Sequence, residues 1–138
     1  MLLVTDVGNT NIKLGLYDGE RLAASWRLST DLKKTSDEYG LMLMNLLSHA
    51  GAGKQDISGA IMSSVVPGIN YTLTHMLEFY LGQHPLLVGP GIKTGLNIKL
   101  DNPRELGGDL ITDAVSAFSR YGGDLIVIDF GTATTFNY

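Results

Sequence analysis

Three stretches of the chain set a carboxylate beside glycine in a way that could do chemistry: Asp6-Val7-Gly8-Asn9-Thr10-Asn11, Gly107-Gly108-Asp109-Leu110, and Asp129-Phe130-Gly131-Thr132-Ala133-Thr134. In the first, a carboxylate at the end of an apolar run suits a hydrated Mg²⁺, which takes one or two carboxylates together with phosphate oxygens. Gly8 would let the backbone approach an anion, while successive N–H groups and the Asn and Thr side chains donate to it. Lys13 adds a point charge nearby. A second reading stays open, in which Gly8, Asn9 and Thr10 only shape a hairpin turn. In the middle stretch, the two glycines clear space at a helix start. There Asp109 is either a cap favoured by the helix dipole or a general base that takes a proton from a substrate hydroxyl.

The elements that must position these residues follow from pattern and punctuation. Leu2 to Val7 reads as a buried strand, Ile12 to Tyr17 as a second that turns at Asp18-Gly19, and Leu22 to Leu28 as a third. Thr35 with Glu38 three residues on is a capping box, opening a helix that stops at Ala50-Gly51-Ala52-Gly53. Ile57 to Val66 reads as a strand, Pro67 to Leu81 as a helix and Pro85 to Val88 as a short strand. A Gly/Pro-rich loop follows, then a helix from Gly107 to Gly122-Gly123 and two strands, Leu125 to Asp129 and one reaching Tyr138. Strands mixed with helices in this order predict an α/β fold, a mixed sheet with flanking helices.

Val4-Thr5-Asp6-Val7-Gly8-Asn9-Thr10 is echoed by Val127-Ile128-Asp129-Phe130-Gly131-Thr132-Ala133, 123 residues later. That spacing is too long for a solenoid repeat. It marks the start of a second copy of one domain, so residues 1–123 are expected to form a first domain and 124–138 the opening strands of a second. Two D-x-G turns, each after an apolar strand, resemble the paired phosphate-binding turns of the actin, hexokinase and Hsp70 superfamily, and point to a nucleotide.

Composition bounds the alternatives. The chain has 138 residues, net charge −4 and a pI near 5.2, with no cluster of Lys and Arg, which argues against a nucleic-acid partner. It has no cysteine, so thiolate catalysis and disulfides are excluded, and a cytoplasmic location is expected. Neither a signal peptide nor a run of apolar residues long enough to span a membrane is seen. His49, His75 and His84 lack metal-ligand spacing. Gly51-Ala52-Gly53-Lys54 fails the P-loop pattern at Ser48 and Gln55. Trp26 and the methionines Met42, Met44, Met62 and Met76 read as packing.

Five motifs, in order and spacing, resemble type III pantothenate kinases, the Bvg accessory factor-like family. They are Asp6-Val7-Gly8-Asn9-Thr10, Ser63-Ser64-Val65-Val66-Pro67, Gly89-Pro90-Gly91-Ile92-Lys93-Thr94-Gly95-Leu96, Asn102-Pro103-Arg104-Glu105-Leu106-Gly107-Gly108-Asp109, and Asp129 to Phe136. The resemblance implies an actin-like, RNase H-like fold and ATP-dependent phosphorylation of pantothenate to 4′-phosphopantothenate, the first step towards coenzyme A. It also implies an ATP phosphate loop of Asp6, Val7, Gly8, Asn9, Thr10, Asn11, Ile12 and Lys13, with Thr132 on ATP. Gly107, Gly108, Asp109 and Leu110 would contact pantothenate, with Asp109 the catalytic base. Asp129 would hold a monovalent cation, K⁺ or NH₄⁺, and Asp6 would face Mg²⁺ through the phosphates. The partners implied are pantothenate, ATP and a second copy of the chain in a homodimer.

Two residues depart from the family pattern. Leu110 stands where an arginine is usual, which removes a fork of donors that leucine cannot replace. Asn137 stands where aspartate is common. With one domain and the start of another, weak or no turnover is expected of these 138 residues alone. Self-association is expected too, through an apolar strand such as Leu125 to Ile128 that lacks its sheet. The rival readings are a non-catalytic regulatory or ligand-binding relative and one chain of a split kinase.

Overall fold

Leu3, Thr5 and Val7 are buried while Leu2, Val4 and Asp6 are not, the two-residue period of a strand with unlike faces. A computed structural model describes residues 1–89, 92–95, 97, 99, 106–131 and 133–138. In it, β1 (Leu2–Val7) runs antiparallel to β2 (Asn11–Asp18), with Leu3 opposite Leu16, Thr5 opposite Leu14 and Val7 opposite Ile12. β3 (Arg21–Ser29) extends this meander, with Trp26 opposite Leu14 and a bulge between Leu16 and Tyr17. β4 (Gly59–Ser64) joins β1 on its other side in parallel, and β5 (Leu86–Val88) forms the edge, giving the order 3-2-1-4-5. That order, an antiparallel meander with a parallel fourth strand laid against β1, makes a mixed sheet with flanking helices, the α/β class expected from the sequence.

Helices close one face of the sheet. α1 (Ser36–His49) turns Tyr39, Leu43 and Leu47 inward at four-residue spacing. α2 (Pro67–Met76) starts with proline at its first position, where no N–H is needed, and buries Ile69, Leu73 and Met76. It runs on into a π-helical turn, Leu77–Leu81, that buries Leu77 and Leu81 and ends at Gly82 in the left-handed region. These residues form one apolar cluster with Leu3, Val7, Ile12, Leu14, Leu16 and Met62. Each fully buried leucine contributes about 1.5–3 kcal/mol. Trp26 and Met44 pack at its margin, as their types suggested.

The chain clusters into two compact units, Met1–Leu87 and Val88–Tyr138. The second contains α3 (Gly108–Tyr121) and a hairpin of β6 (Val127–Phe130) with β7 (Thr134–Asn137). Ile128 pairs with Phe136 on the hairpin's outer face, and Phe130 lies on the same side; all three are exposed. The predicted strands and helices agree with the observed ones to within a few residues at their ends, while a short 3-10 turn at Lys54–Asp56 was not predicted.

Candidate functional site

The turn between β1 and β2 is held from several sides. Inside it, the Gly8 N–H donates to the Asn11 carbonyl at 2.9 Å. A Cβ at Gly8 would lie 3.2 Å from that same oxygen, so a side chain there would crowd the turn. Just past the end of β4, the Val65 N–H donates to the Val7 carbonyl at 3.0 Å. From the end of β3, the Thr30 N–H donates to the Thr10 carbonyl at 3.0 Å, and the Thr30 hydroxyl donates to the Gly8 carbonyl at 2.6 Å. Thr30 is itself placed by α1. The buried Tyr39 hydroxyl accepts from the Asp31 N–H at 2.9 Å and lies 3.1 Å from the Asp31 carbonyl and 3.3 Å from that of Ser29. A core helix therefore sets the turn through one phenol and one threonine.

On this frame Asp6 and Lys13 are register partners, and their side chains form an ion pair of 3.1 Å. The pair is half open to water, with side-chain exposures of 58% for Lys13 and 41% for Asp6, so it is weak and can exchange. Asn9 and Thr10 face solvent at the tip. Carboxylate, ammonium and turn amides thus gather at the end of the sheet, an arrangement that suits a polyanion and its counter-ion. Among the described residues no three His, Asp or Glu side chains gather as a metal cage. A metal at Asp6 would accordingly draw its remaining ligands from phosphate and water, which is the habit of Mg²⁺.

Asp109 lies in the first turn of α3, behind the extended Gly107. Its Oδ1 accepts the Leu110 N–H at 2.8 Å, and its carbonyl accepts the Thr112 hydroxyl at 2.8 Å. The N-cap itself is Gly107, which has no side-chain cap, so Asp109 serves the helix start only as a first-turn carboxylate bonded to its neighbour's N–H. That bond engages one carboxylate oxygen and does not exclude a second role for the other. Gly108 is buried and Leu110 half-buried. Asp129 stands in β6 opposite Thr135, and the Gly131 N–H donates to the Ala133 carbonyl at 3.1 Å. Both D-x-G stretches thus end the first strand of an antiparallel hairpin, with the glycine N–H closing the turn.

The model of the family described as type III pantothenate kinase matches residues 2–138. The chain belongs to that family. It is 55% identical over all 138 residues to proteins named type III pantothenate kinase from Brevibacillus brevis and from Geobacter sulfurreducens, and covers 54% of each. The chain thus spans about half the length of the curated relatives it matches. Solved structures similar to it include a ROK hexokinase from Thermus thermophilus (TM-score 0.49, 16% identity, 62% of this chain and 34% of that one) and a putative N-acetylglucosamine kinase from Porphyromonas gingivalis (TM-score 0.47, 16% identity, 63% and 34%).

Type III pantothenate kinase motifs in this chain are described unevenly. Thr132, and Asn102 to Glu105 of the fourth motif, lie outside the described residues, as do Pro90, Gly91 and Leu96 of the third. Of the two departures, Leu110 follows Asp109 directly on α3. Asn137 pairs with Val127 in β7, and its Nδ2 is buried without a partner among the described residues. Sequence reasoning passed over Thr30 and Tyr39 as parts of the site. The dipeptide Ser29-Thr30 at a strand end was the available signal, but its contact with Gly8 depends on tertiary register.

Proposed function

We propose that this chain carries the phosphate-gripping and pantothenate-binding residues of a type III pantothenate kinase. The observation that carries the reading is the 55% identity, across every residue of the chain, to two proteins of that name. In the proposed reaction the carboxylate of Asp109 takes the proton of the primary hydroxyl of pantothenate. The hydroxyl oxygen bonds to the γ-phosphorus of ATP while the bond to the β-phosphate oxygen breaks, giving 4′-phosphopantothenate and ADP. The phosphate loop is Asp6 to Lys13, with Thr132 also on ATP; Lys13 and the turn amides hold phosphate oxygens. Asp6 would hold Mg²⁺ through the phosphates, and the metal would supply neutralisation of phosphate charge. Gly107, Gly108 and Leu110 would line the pantothenate site, and Asp129 would hold K⁺ or NH₄⁺.

The hairpin β6–β7 repeats the D-x-G hairpin β1–β2. This supports a domain plan in which residues 1–123 form a first actin-like domain and 124–138 open a second. A cytoplasmic homodimer completes the proposal; among the described residues no helix is long and apolar enough to cross a membrane. A non-catalytic, ligand-binding relative is the second reading, favoured by Leu110 where the family pattern has arginine.

The test is pantothenate-dependent ADP release from MgATP with K⁺. It uses the chain continued through the part of the Brevibacillus brevis relative that lies beyond the match. Turnover that requires pantothenate and falls by about 10²–10⁴-fold in Asp109→Asn is expected. Turnover indifferent to that substitution would remove Asp109 from the mechanism. Binding of pantothenate without turnover would establish the non-catalytic reading.

A further inference from the structure

The sheet face opposite the helical core carries a polar row across three strands. Asp6 in β1 is the register partner of Lys13 in β2 on one side and of Ser63 in β4 on the other. Paired residues project to the same face from strands about 4.8 Å apart. Within this row the ends differ. Lys13 is exposed and bonded to Asp6, whereas Ser63 is only 6% exposed, and its buried Oγ has no partner among the described residues.

A buried hydroxyl without a partner is unfavourable, and each instance needs an explanation. Thr5 poses the same question on the opposite face, but its register partners are Leu14 and Met62, so nothing polar is beside it in the sheet. Ser63 has a carboxylate beside it.

We propose that Ser63 is a positioning residue that holds the Asp6 carboxylate when nucleotide is bound. The proposal rests on the reading of the β1–β2 turn as the ATP phosphate loop. A polyphosphate brings several negative charges to Lys13 and draws the ammonium off Asp6, because charge-assisted bonds to phosphate are the stronger ones. Asp6 then lacks its ammonium partner, and the Ser63 O–H donates to it from across the strand pair. No proton is transferred. Lys13 exchanges a carboxylate for a phosphate oxygen, and Ser63 exchanges an unmade bond for a made one. The hydroxyl fixes the direction of the carboxylate without neutralising it, which is what a carboxylate facing a hydrated cation requires.

The experiment is calorimetric titration with MgATP of this chain continued through the part of the Brevibacillus brevis relative that lies beyond the match, for the wild type, Ser63→Ala, Ser63→Thr, Asp6→Asn and the double variant Asp6→Asn/Ser63→Ala. Melting temperatures of the ligand-free proteins are measured alongside. Ser63→Ala is expected to weaken MgATP by roughly tenfold, the scale of one hydrogen bond to a charged group. Ser63→Thr keeps the hydroxyl and should stay within about twofold of wild type. In the Asp6→Asn background Ser63→Ala should add less than about twofold, since it acts through that carboxylate. The ligand-free melting temperature of Ser63→Ala should not fall, because no bond is lost. An unchanged affinity, the same loss in both backgrounds, or a loss that Thr does not rescue and that comes with a lowered melting temperature each overturns the role of Ser63 and leaves the nucleotide reading standing. A wild-type chain that binds no MgATP overturns both.

Discussion

Thr5 and Ser63 sit one register step apart on neighbouring strands, point to opposite faces of the sheet, and both bury a hydroxyl that has no partner among the described residues. Their surroundings separate them. Thr5 is 1% exposed and looks into leucine and methionine, so its hydroxyl gains nothing for the loss of water. Thr5→Val, nearly the same shape, is expected to stabilise the chain by about 1 kcal/mol, because removing an unpaired buried polar group is favourable. Urea unfolding should show a higher midpoint at unchanged slope. A lower midpoint would mean that the Thr5 hydroxyl is bonded. At the turn itself the decisive residue is Gly8, whose carbonyl receives Thr30 and whose N–H closes the hairpin.

The element that does most to place the turn is α1. Its start is fixed by the capping box, in which the Glu38 N–H donates to the Thr35 hydroxyl at 3.3 Å and the Thr35 N–H donates to the Glu38 carboxylate at 2.8 Å. Thr35→Ala should cost about 1 kcal/mol at neutral pH. The same box is acid-sensitive. The Thr35 backbone N–H first, and its hydroxyl second, hold the Glu38 carboxyl below the 4.5 of a free glutamate. A folded value below the unfolded one gives stability that is whole above about pH 4.5 and is lost as pH falls through the folded value. The stability gap between wild type and Glu38→Ala should therefore hold from pH 7 to about pH 5 and narrow below pH 4.5; a gap that widens in acid would contradict the box. Both members of the capping box, Thr35 and Glu38, were legible by spacing alone. So were the strands, from alternation, and the D-x-G turns, from glycine following a carboxylate. Tyr39, Thr30 and Ser63 were not legible as parts of the site. Local pattern shows Tyr39 only as an apolar helix position and Ser63 only as a motif residue. Their meaning lies in which strand each one meets.

At the scale of the molecule, the first unit holds a five-stranded sheet with a buried apolar core, and the second shows an exposed apolar hairpin face at Ile128, Phe130 and Phe136. The repeated D-x-G hairpin was legible as a sequence echo. The place of the two hairpins within a whole kinase was not, because the chain spans about half of its relatives' length. The central claim is that the first hairpin grips nucleotide phosphates. It is tested most directly by amide ¹H–¹⁵N spectra, titrated with MgATP, of this chain continued through the part of the Brevibacillus brevis relative that lies beyond the match. The account predicts saturable shifts centred on Gly8, Asn9, Thr10, Asn11 and Lys13, and their loss in Lys13→Ala. Saturating MgATP that leaves the amides of Asp6 to Lys13 unmoved, or shifts there that survive Lys13→Ala unchanged, would contradict it.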